Sequence, residues 1–166
     1  MSAKDSIDAI RQLVPIRQRR LERAQAAVRE ADLAVKRAKE AVKVAQDAYD
    51  EYLQQLPKLI SDLYESVMHT EISKSTLSEL TKKEGVLRAK VEDFRASLDD
   101  AKRALEEAQQ ALTLAQERLR KETVKLDVLK DLEKIEVKKA KIEEEQKLGK
   151  AIDELASAQY VRRRLN

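Results

Sequence analysis

The chain has 166 residues, of which 39% are charged and only 3% aromatic, with two glycines, two prolines and no cysteine. A compact globule normally uses more aromatic residues and glycine, whereas a chain rich in Ala, Glu, Lys, Leu and Arg is typical of long helices and coiled coils. The net charge of +3 gives no strong case for nucleic acid or an anionic membrane as a partner. Without cysteine the chain has no disulfide, no thiol nucleophile and no thiolate metal ligand.

The N-terminal sequence MSAKDSIDAIRQ lacks the apolar core of a secretory signal. No run of about 18 apolar residues is present to span a bilayer. We therefore expect a soluble protein with no direct membrane insertion. Disorder is the competing interpretation of so many charges, and it is disfavoured because the apolar residues recur at a regular spacing.

The first half of the chain repeats every seven residues. Core position a is occupied by Val14, Leu21, Val28, Val35, Val42, Tyr49, Leu56 and Leu63. Core position d is occupied by Arg17, Ala24, Ala31, Ala38, Ala45, Tyr52 and Leu59. A sustained period of seven predicts a left-handed coiled coil, with helix one over about residues 5–69.

A turn is predicted at about residues 70–75. Thr76-Leu77-Ser78-Glu79 has the sequence of a capping box, in which the Thr76 hydroxyl accepts the Glu79 amide hydrogen and the Glu79 side chain reaches back. Helix two is therefore expected over about residues 77–160.

The second half repeats the same scheme. Its a positions, interrupted only by Glu84, are Leu77, Val91, Leu98, Leu105, Leu112, Leu119 and Leu126, and its d positions are Leu80, Leu87, Phe94, Ala101, Ala108 and Ala115. An antiparallel pairing of the two grids is symmetric about residues 73 and 74, which agrees with the predicted turn.

The predicted fold is all-α: a single long, elongated antiparallel two-helix coiled-coil hairpin over residues 1–166. Its arms are unequal, because reflection about the turn leaves the chain from Lys147 onward without a partner strand. We expect a monomer when the protein is isolated, since the hairpin fills its own seam.

Signals for catalysis are nearly absent. The chain has one histidine, His69, and no cysteine, so neither a Ser-His or Cys-His pair nor an ordinary zinc site is indicated. His69 is expected to lie at the end of helix one, where a positive charge is favourable. We expect no enzyme activity, no catalytic residue, no metal and no cofactor.

Basic residues concentrate at the expected open end of the hairpin. Residues 1–45 hold 11 Lys and Arg against 6 Asp and Glu, a local charge of +5. Two interpretations stay open: a solvated coiled-coil surface, or an electropositive end that docks an acidic protein surface. The candidate docking residues are Arg17, Arg20, Arg23, Leu148, Ile152, Leu155, Arg162 and Arg163.

A second candidate surface lies near the turn. Leu53, Ile60, Tyr64 and Val67 are spaced by 7, 4 and 3 residues, so they share a helix face beside the a/d stripe. These side chains either pack on helix two, with Pro57 rotating the helix, or form an exposed partner site.

Three segments resemble the YscO/FliJ family of type III secretion and flagellar export stalk proteins, YscO branch. The opening IRQRRLERAQAAV resembles the family's basic "R-x-x-R-x-x-x-A" start, and LYESVMHTEISKSTLSELTKKEGVLRAK resembles its turn region. The ending EEEQKLGKAIDELA resembles "E-Q-K-x-x-D-E-x-A", with three extra residues before the Asp-Glu pair. The positions matching that ending are Glu145, Gln146, Lys147, Asp153, Glu154 and Ala156.

The resemblance implies a non-enzymatic stalk and adaptor in the bacterial cytoplasm, peripherally associated with a membrane-embedded secretion apparatus. Its implied partners are a hexameric export ATPase at the open end, an export-gate membrane protein and substrate chaperones. By our own hypothesis from the apolar residues near the turn, the export gate or a chaperone binds at the loop end. The alternatives are a coiled-coil scaffold without an ATPase partner and a nucleic-acid-binding arm. The second alternative is disfavoured, because no aromatic residues are interleaved with the basic cluster.

Overall fold

The computed structural model describes residues 2–165. This range contains two helices, α1 (Ala3–Glu65) and α2 (Lys74–Arg164), and no strand. The prediction of an all-α two-helix hairpin is confirmed. The connection occupies residues 66–73, so α1 ends four residues before the predicted end and α2 begins three residues before the predicted start.

Helix α1 begins with a reciprocal cap that the sequence analysis did not identify. The backbone amide of Asp5 donates to the Ser2 hydroxyl at 3.2 Å, and the backbone amide of Ser2 donates to the Asp5 carboxylate at 3.0 Å. Each side chain thus accepts from the other residue's otherwise unpaired amide. The hydrogen bond from the Ser2 side chain lowers the pKa of Asp5.

The cap predicted for α2 at Thr76 is wrong. The capping residue is Ser73, whose hydroxyl accepts the backbone amide hydrogen of Thr76 at 3.2 Å, and its carbonyl accepts the Leu77 amide hydrogen at 3.1 Å. The Thr76 hydroxyl shares a 2.9 Å hydrogen bond with that of Ser73, while Glu79 stays exposed. Since Ser73, Ser75 and Thr76 all offer a hydroxyl within four residues, composition alone could not select among them.

Helix α1 continues through both prolines. Pro15 and Pro57 lack the amide hydrogen that would bind the carbonyls of Arg11 and Leu53. Both prolines lie on the exposed side of the helix. Water can therefore hydrate the freed carbonyls, and the helix passes each proline without ending.

The helices divide into two compact units, and the unit that contains the turn, residues 27–115, is called the loop unit. Its buried apolar side chains are Val35, Tyr52, Leu80 and Leu98. The Tyr52 ring stacks on Phe94 with centroids 4.8 Å apart, and its hydroxyl donates to the Leu87 carbonyl at 2.6 Å. Further along α1 the Tyr64 hydroxyl reaches Glu84, which precedes Phe94 in α2, so the two helices run antiparallel; Tyr52 and Phe94 both lie on the predicted heptad grid.

The seam of the loop unit moves off that grid near the turn. Leu59, the predicted d residue, is exposed, whereas its neighbour Ile60 is half-buried. The half-buried residues after Tyr52 are Leu56, Ile60, Leu63, Tyr64 and Val67. Two successive steps of four residues form a stutter, which locally unwinds a heptad coiled coil.

The other compact unit, residues 2–26 with 116–165, is called the terminal unit. Ile7, Ala24 and Leu126 are buried in it. Two ion pairs join its helix segments, Arg11 to Glu133 at 2.9 Å and Arg17 to Glu122 at 3.7 Å. Arg11 precedes Arg17 in α1, whereas its partner Glu133 follows Glu122 in α2. These segments are therefore also antiparallel.

Removing the hydroxyl of Tyr52 should cost far less than removing its ring. Tyr52→Phe keeps the stack on Phe94 and loses one part-buried hydrogen bond, so we expect a loss of about 1 kcal/mol in the free energy of unfolding. Tyr52→Ala also removes a buried ring, and about 3 kcal/mol or more should be lost. Chemical denaturation followed by circular dichroism measures both, and equal losses for the two variants would contradict this assignment.

Candidate partner-binding surfaces

The three arginines of the predicted docking surface, Arg17, Arg20 and Arg23, are called the arginine cluster. Arg20 and Arg23 are exposed and form no ion pair within residues 2–165. Arg17 differs, because it occupies a d position of the seam with its side chain 31% exposed and faces Glu122, which is 13% exposed. Two guanidinium groups of the cluster are therefore free on the surface, and the third is part of the helix pair.

The Arg17–Glu122 contact is an ion pair without a hydrogen bond. At 3.7 Å the charged atoms Nη1 and Oε2 attract each other, yet neither has a hydrogen-bond partner although both are buried. The second oxygen of Glu122 accepts from Lys125 at 3.2 Å. An apolar pair would fit this layer of the seam at lower desolvation cost.

The C-terminal part of α2 forms the second candidate surface. All of residues 141–165, called the tail, are exposed, and the tail is helical as far as Arg164. Leu148, Ile152 and Leu155 are 64%, 58% and 65% exposed. The tail is thus an amphipathic helix whose large apolar side chains are mostly exposed.

The terminal unit does not bring the arginine cluster and the tail together. Leu148 lies 26 residues beyond Glu122, the partner of Arg17. At about 1.5 Å per residue the two are separated by about 39 Å along α2. The predicted open-end site is therefore two separate surfaces, one basic and one mainly apolar.

The four residues near the turn, called the loop-end stripe, are placed unequally. Leu53 is 39% exposed, whereas Ile60, Tyr64 and Val67 are half-buried. The Tyr64 hydroxyl donates to Glu84 at 2.7 Å, and Glu84 also accepts from Arg88 at 2.8 Å. The hydrogen bond between Tyr64 and Glu84 raises the pKa of Tyr64 and lowers that of Glu84.

Sequence reasoning missed several exposed apolar residues beside the stripe. Met68 is 67% exposed, Leu77 is 47% exposed and Ile72 is 38% exposed. Met68 and Ile72 lie in the connection, where no helical period marks a face, and Leu77 was assigned to the seam. A loop with two large apolar residues and no glycine is the only sequence signal that could have indicated them.

Residues 2–165 contain neither a metal-ligand cluster nor a membrane-spanning helix. In the part of the chain that the structure describes, no group of three or more His, Cys, Asp or Glu side chains could hold a metal ion. None of the helices described there is long and apolar enough to cross a membrane. The arginine cluster, the tail and the loop-end stripe offer charged and apolar side chains, the groups that protein interfaces generally use.

Comparison with known families gives one match. The family model described as type III secretion protein YscO matches residues 10–158, which is most of the chain. The chain belongs to the YscO family. The match covers most of both helices and the whole turn, and it confirms the resemblance inferred from the three sequence segments. A search of curated proteins found no significant match.

In this YscO-family protein the Arg17–Glu122 ion pair should lower the free energy of unfolding while it specifies how the two helices pair. Replacing both residues by leucine should leave the stability unchanged or raise it by about 1–4 kcal/mol, since two desolvated charges give way to apolar packing. Arg17→Leu alone should be destabilising, because the short Glu122 side chain is held in the seam. Glu122→Leu should cost less, because the long Arg17 side chain can extend to water.

Urea unfolding of the wild type, both single variants and the double variant completes this cycle. A double variant less stable than the wild type by more than about 1 kcal/mol would show that the ion pair is itself stabilising.

Proposed function

We propose that this protein is the non-enzymatic stalk and adaptor of a bacterial type III secretion export ATPase. In this proposal it couples the hexameric ATPase to the export-gate membrane protein and escorts substrate chaperones. Membership of the YscO family supports a role in type III secretion. The observation that carries the ATPase assignment is the terminal unit, which combines free arginines with a helical tail that has no partner.

The arginine cluster supplies the electrostatic part of the proposed contact. Exposed arginines increase the rate of association with an acidic surface and select against basic ones. Arg20 and Arg23 have no competing carboxylate in the described chain, so binding an acidic partner breaks no existing ion pair. Arg162 and Arg163 supply a second, separate group of positive charge at the end of the tail.

The tail supplies the apolar part of the proposed contact. Leu148, Ile152 and Leu155 follow each other by four and three residues and therefore lie on one helix face. A groove-forming partner recognises such a helix through residues at this spacing. Because Gly149 leaves open space beside this face, a partner backbone can approach it closely.

The loop-end stripe is proposed as the contact for the export gate or a chaperone. Leu53 is its most exposed member, and Met68 extends the apolar surface around the turn. Tyr64 is held by its hydrogen bond to Glu84, so it would serve as a fixed edge of this surface. Mixed exposed and half-buried apolar residues are what a modest, reversible interface uses.

Reversing the two free arginines tests the ATPase assignment. Arg20→Glu with Arg23→Glu should lower stimulation of the export ATPase several-fold, and the loss should be greater at low ionic strength, where exposed charges are least screened. Helix content should be unchanged, because both side chains are exposed. Arg17 is left intact, since its reversal would place two carboxylates in the seam.

The matched control is Lys82→Glu with Lys83→Glu, which reverses two exposed charges in the loop unit. This control should stimulate the ATPase like the wild type. Full stimulation by the arginine variant, or none by the wild type, would favour the scaffold alternative.

A second test separates packing from partner binding at the loop end. Leu53→Asp with Met68→Asp places charge on two exposed apolar residues, so the melting temperature should change by only a few degrees. Ile60→Asp places a carboxylate on a half-buried seam residue and should lower it sharply. Secretion and gate or chaperone binding should be lost in the first variant although it is folded. Normal secretion by that variant would remove the loop-end assignment.

A further inference from the structure

The apolar side chains of the tail form a stripe on a different face of α2 from the side chains that form the hairpin seam. The hairpin grid, extended past Ala140, is nearly all polar: Glu143, Lys147, Lys150, Glu154, Ser157, Val161 and Arg164. The apolar side chains of the tail follow a different heptad repeat. Its first a position is Glu145, five residues after the hairpin a position at Ala140. Five residues turn a helix by about 140°, so the stripe faces away from the direction in which α1 lies.

The side chains on this face are spaced as in one helix of a coiled coil. Its a and d positions, spaced by 3, 4, 3, 4 and 3 residues, are Glu145, Leu148, Ile152, Leu155, Gln159 and Arg162. The flanking positions next to the apolar centre are all small: Gly149, Ala151, Ala156 and Ala158. Small flanks allow a second helix to approach closely, as alanines do in the hairpin itself.

Three consecutive glutamates lie near the start of the tail and three consecutive arginines at its end, with Lys141, Lys147, Lys150, Asp153 and Glu154 beside or between them. The start carries Glu143, Glu144 and Glu145, and the end carries Arg162, Arg163 and Arg164. Within residues 2–165 none of these six side chains forms an ion pair. Arg164 instead stacks on the Tyr160 ring, 5.5 Å from its centroid. An antiparallel helix with the same charge order would neutralise both ends of the tail.

We propose that the tail pairs antiparallel with the tail of a second copy of this chain. With a two-fold axis between residues 153 and 154, every core layer joins an a residue of one copy to a d residue of the other. Ile152 packs on Leu155, Leu148 on Gln159, and Glu145 faces Arg162, each twice. Parallel pairing is disfavoured, because it sets Glu145 against Glu145 and Arg162 against Arg162.

The pairing is weak and depends on concentration. Six core residues per copy are far fewer than the roughly 20–30 residues a side of a standard stable interface. Two symmetry-related layers set the polar amide of Gln159 against Leu148, which weakens the pairing further. The protein is therefore a monomer when dilute, and the paired form accumulates where it is locally concentrated.

This inference does not depend on the proposed function. The pairing would, however, cover Leu148, Ile152 and Leu155, the same side chains that are proposed to contact the ATPase. A copy held in a tail pair would then be unable to use that face. Loss of ATPase stimulation and loss of self-association are measured separately, so either idea can fail alone.

A charge-swap experiment on the full chain tests the pairing. Analytical ultracentrifugation from about 5 µM to about 500 µM spans the range of weak protein–protein interfaces. The wild-type average mass should rise from 19.0 kDa towards twice that value. Glu144→Arg with Glu145→Arg, and separately Arg162→Glu with Arg163→Glu, should each stay at the mass of one chain. An equimolar mixture of the two variants should regain the wild-type association.

Orientation is tested with a single spin label at Lys139→Cys, which is unique because the chain has no cysteine. This position lies outside the stripe, and antiparallel pairing places the two labelled residues about 43 Å apart along the axis. Parallel pairing would place them only about one interhelical distance, near 10 Å, apart. Lys82→Glu with Lys83→Glu is again the control and should associate like the wild type.

Three results would overturn the pairing: a wild type that stays at the mass of one chain throughout, charge-reversed variants that still associate, or a mixture that does not. Equal helicity of all variants by circular dichroism excludes misfolding as the cause of any loss. A short label distance would overturn the antiparallel arrangement.

Discussion

Each unit of this protein depends on a single line of apolar contact between two antiparallel helix segments. An isolated helix cannot bury its apolar stripe, so each segment is stable only through the opposite one. Seven apolar side chains in the described chain are classed as buried, among them Ala24, Val35 and Leu98. In the described chain most residues outside the seam are exposed.

The structural features that depend on the seven-residue repeat could be predicted from the sequence. A seven-residue repeat in both halves, reflected about one point, was enough to predict two antiparallel helices and the approximate turn. Tyr52 and Phe94, both on the d grid, do meet across the seam. These features are predictable because heptad spacing fixes which side of a helix is apolar, whatever the side-chain details.

Features that depend on a choice between chemically similar neighbouring residues could not be predicted from the sequence. Ser73 rather than Thr76 caps α2, because several hydroxyls within one turn differ only in geometry. Ile60 replaces Leu59 in the seam because the repeat changes its step, and both residues are equally apolar. Arg17 was assigned to a docking surface from its charge, and only the position of Glu122 on the other helix reveals its pairing. The tail was predicted to be unpaired from arm length, whereas its distance from the arginines required the structure.

The shallow seam also determines how stability responds to temperature. Heat-capacity change on unfolding scales with the apolar surface newly exposed, and here no large side chain in the described chain is fully buried. The increment per residue should therefore fall below the roughly 12–15 cal/mol/K typical of globular domains. A small increment flattens the curve of free energy against temperature, so stability should change gradually and cold should weaken the helices little. The free energy of unfolding should therefore vary little over a wide range of temperature.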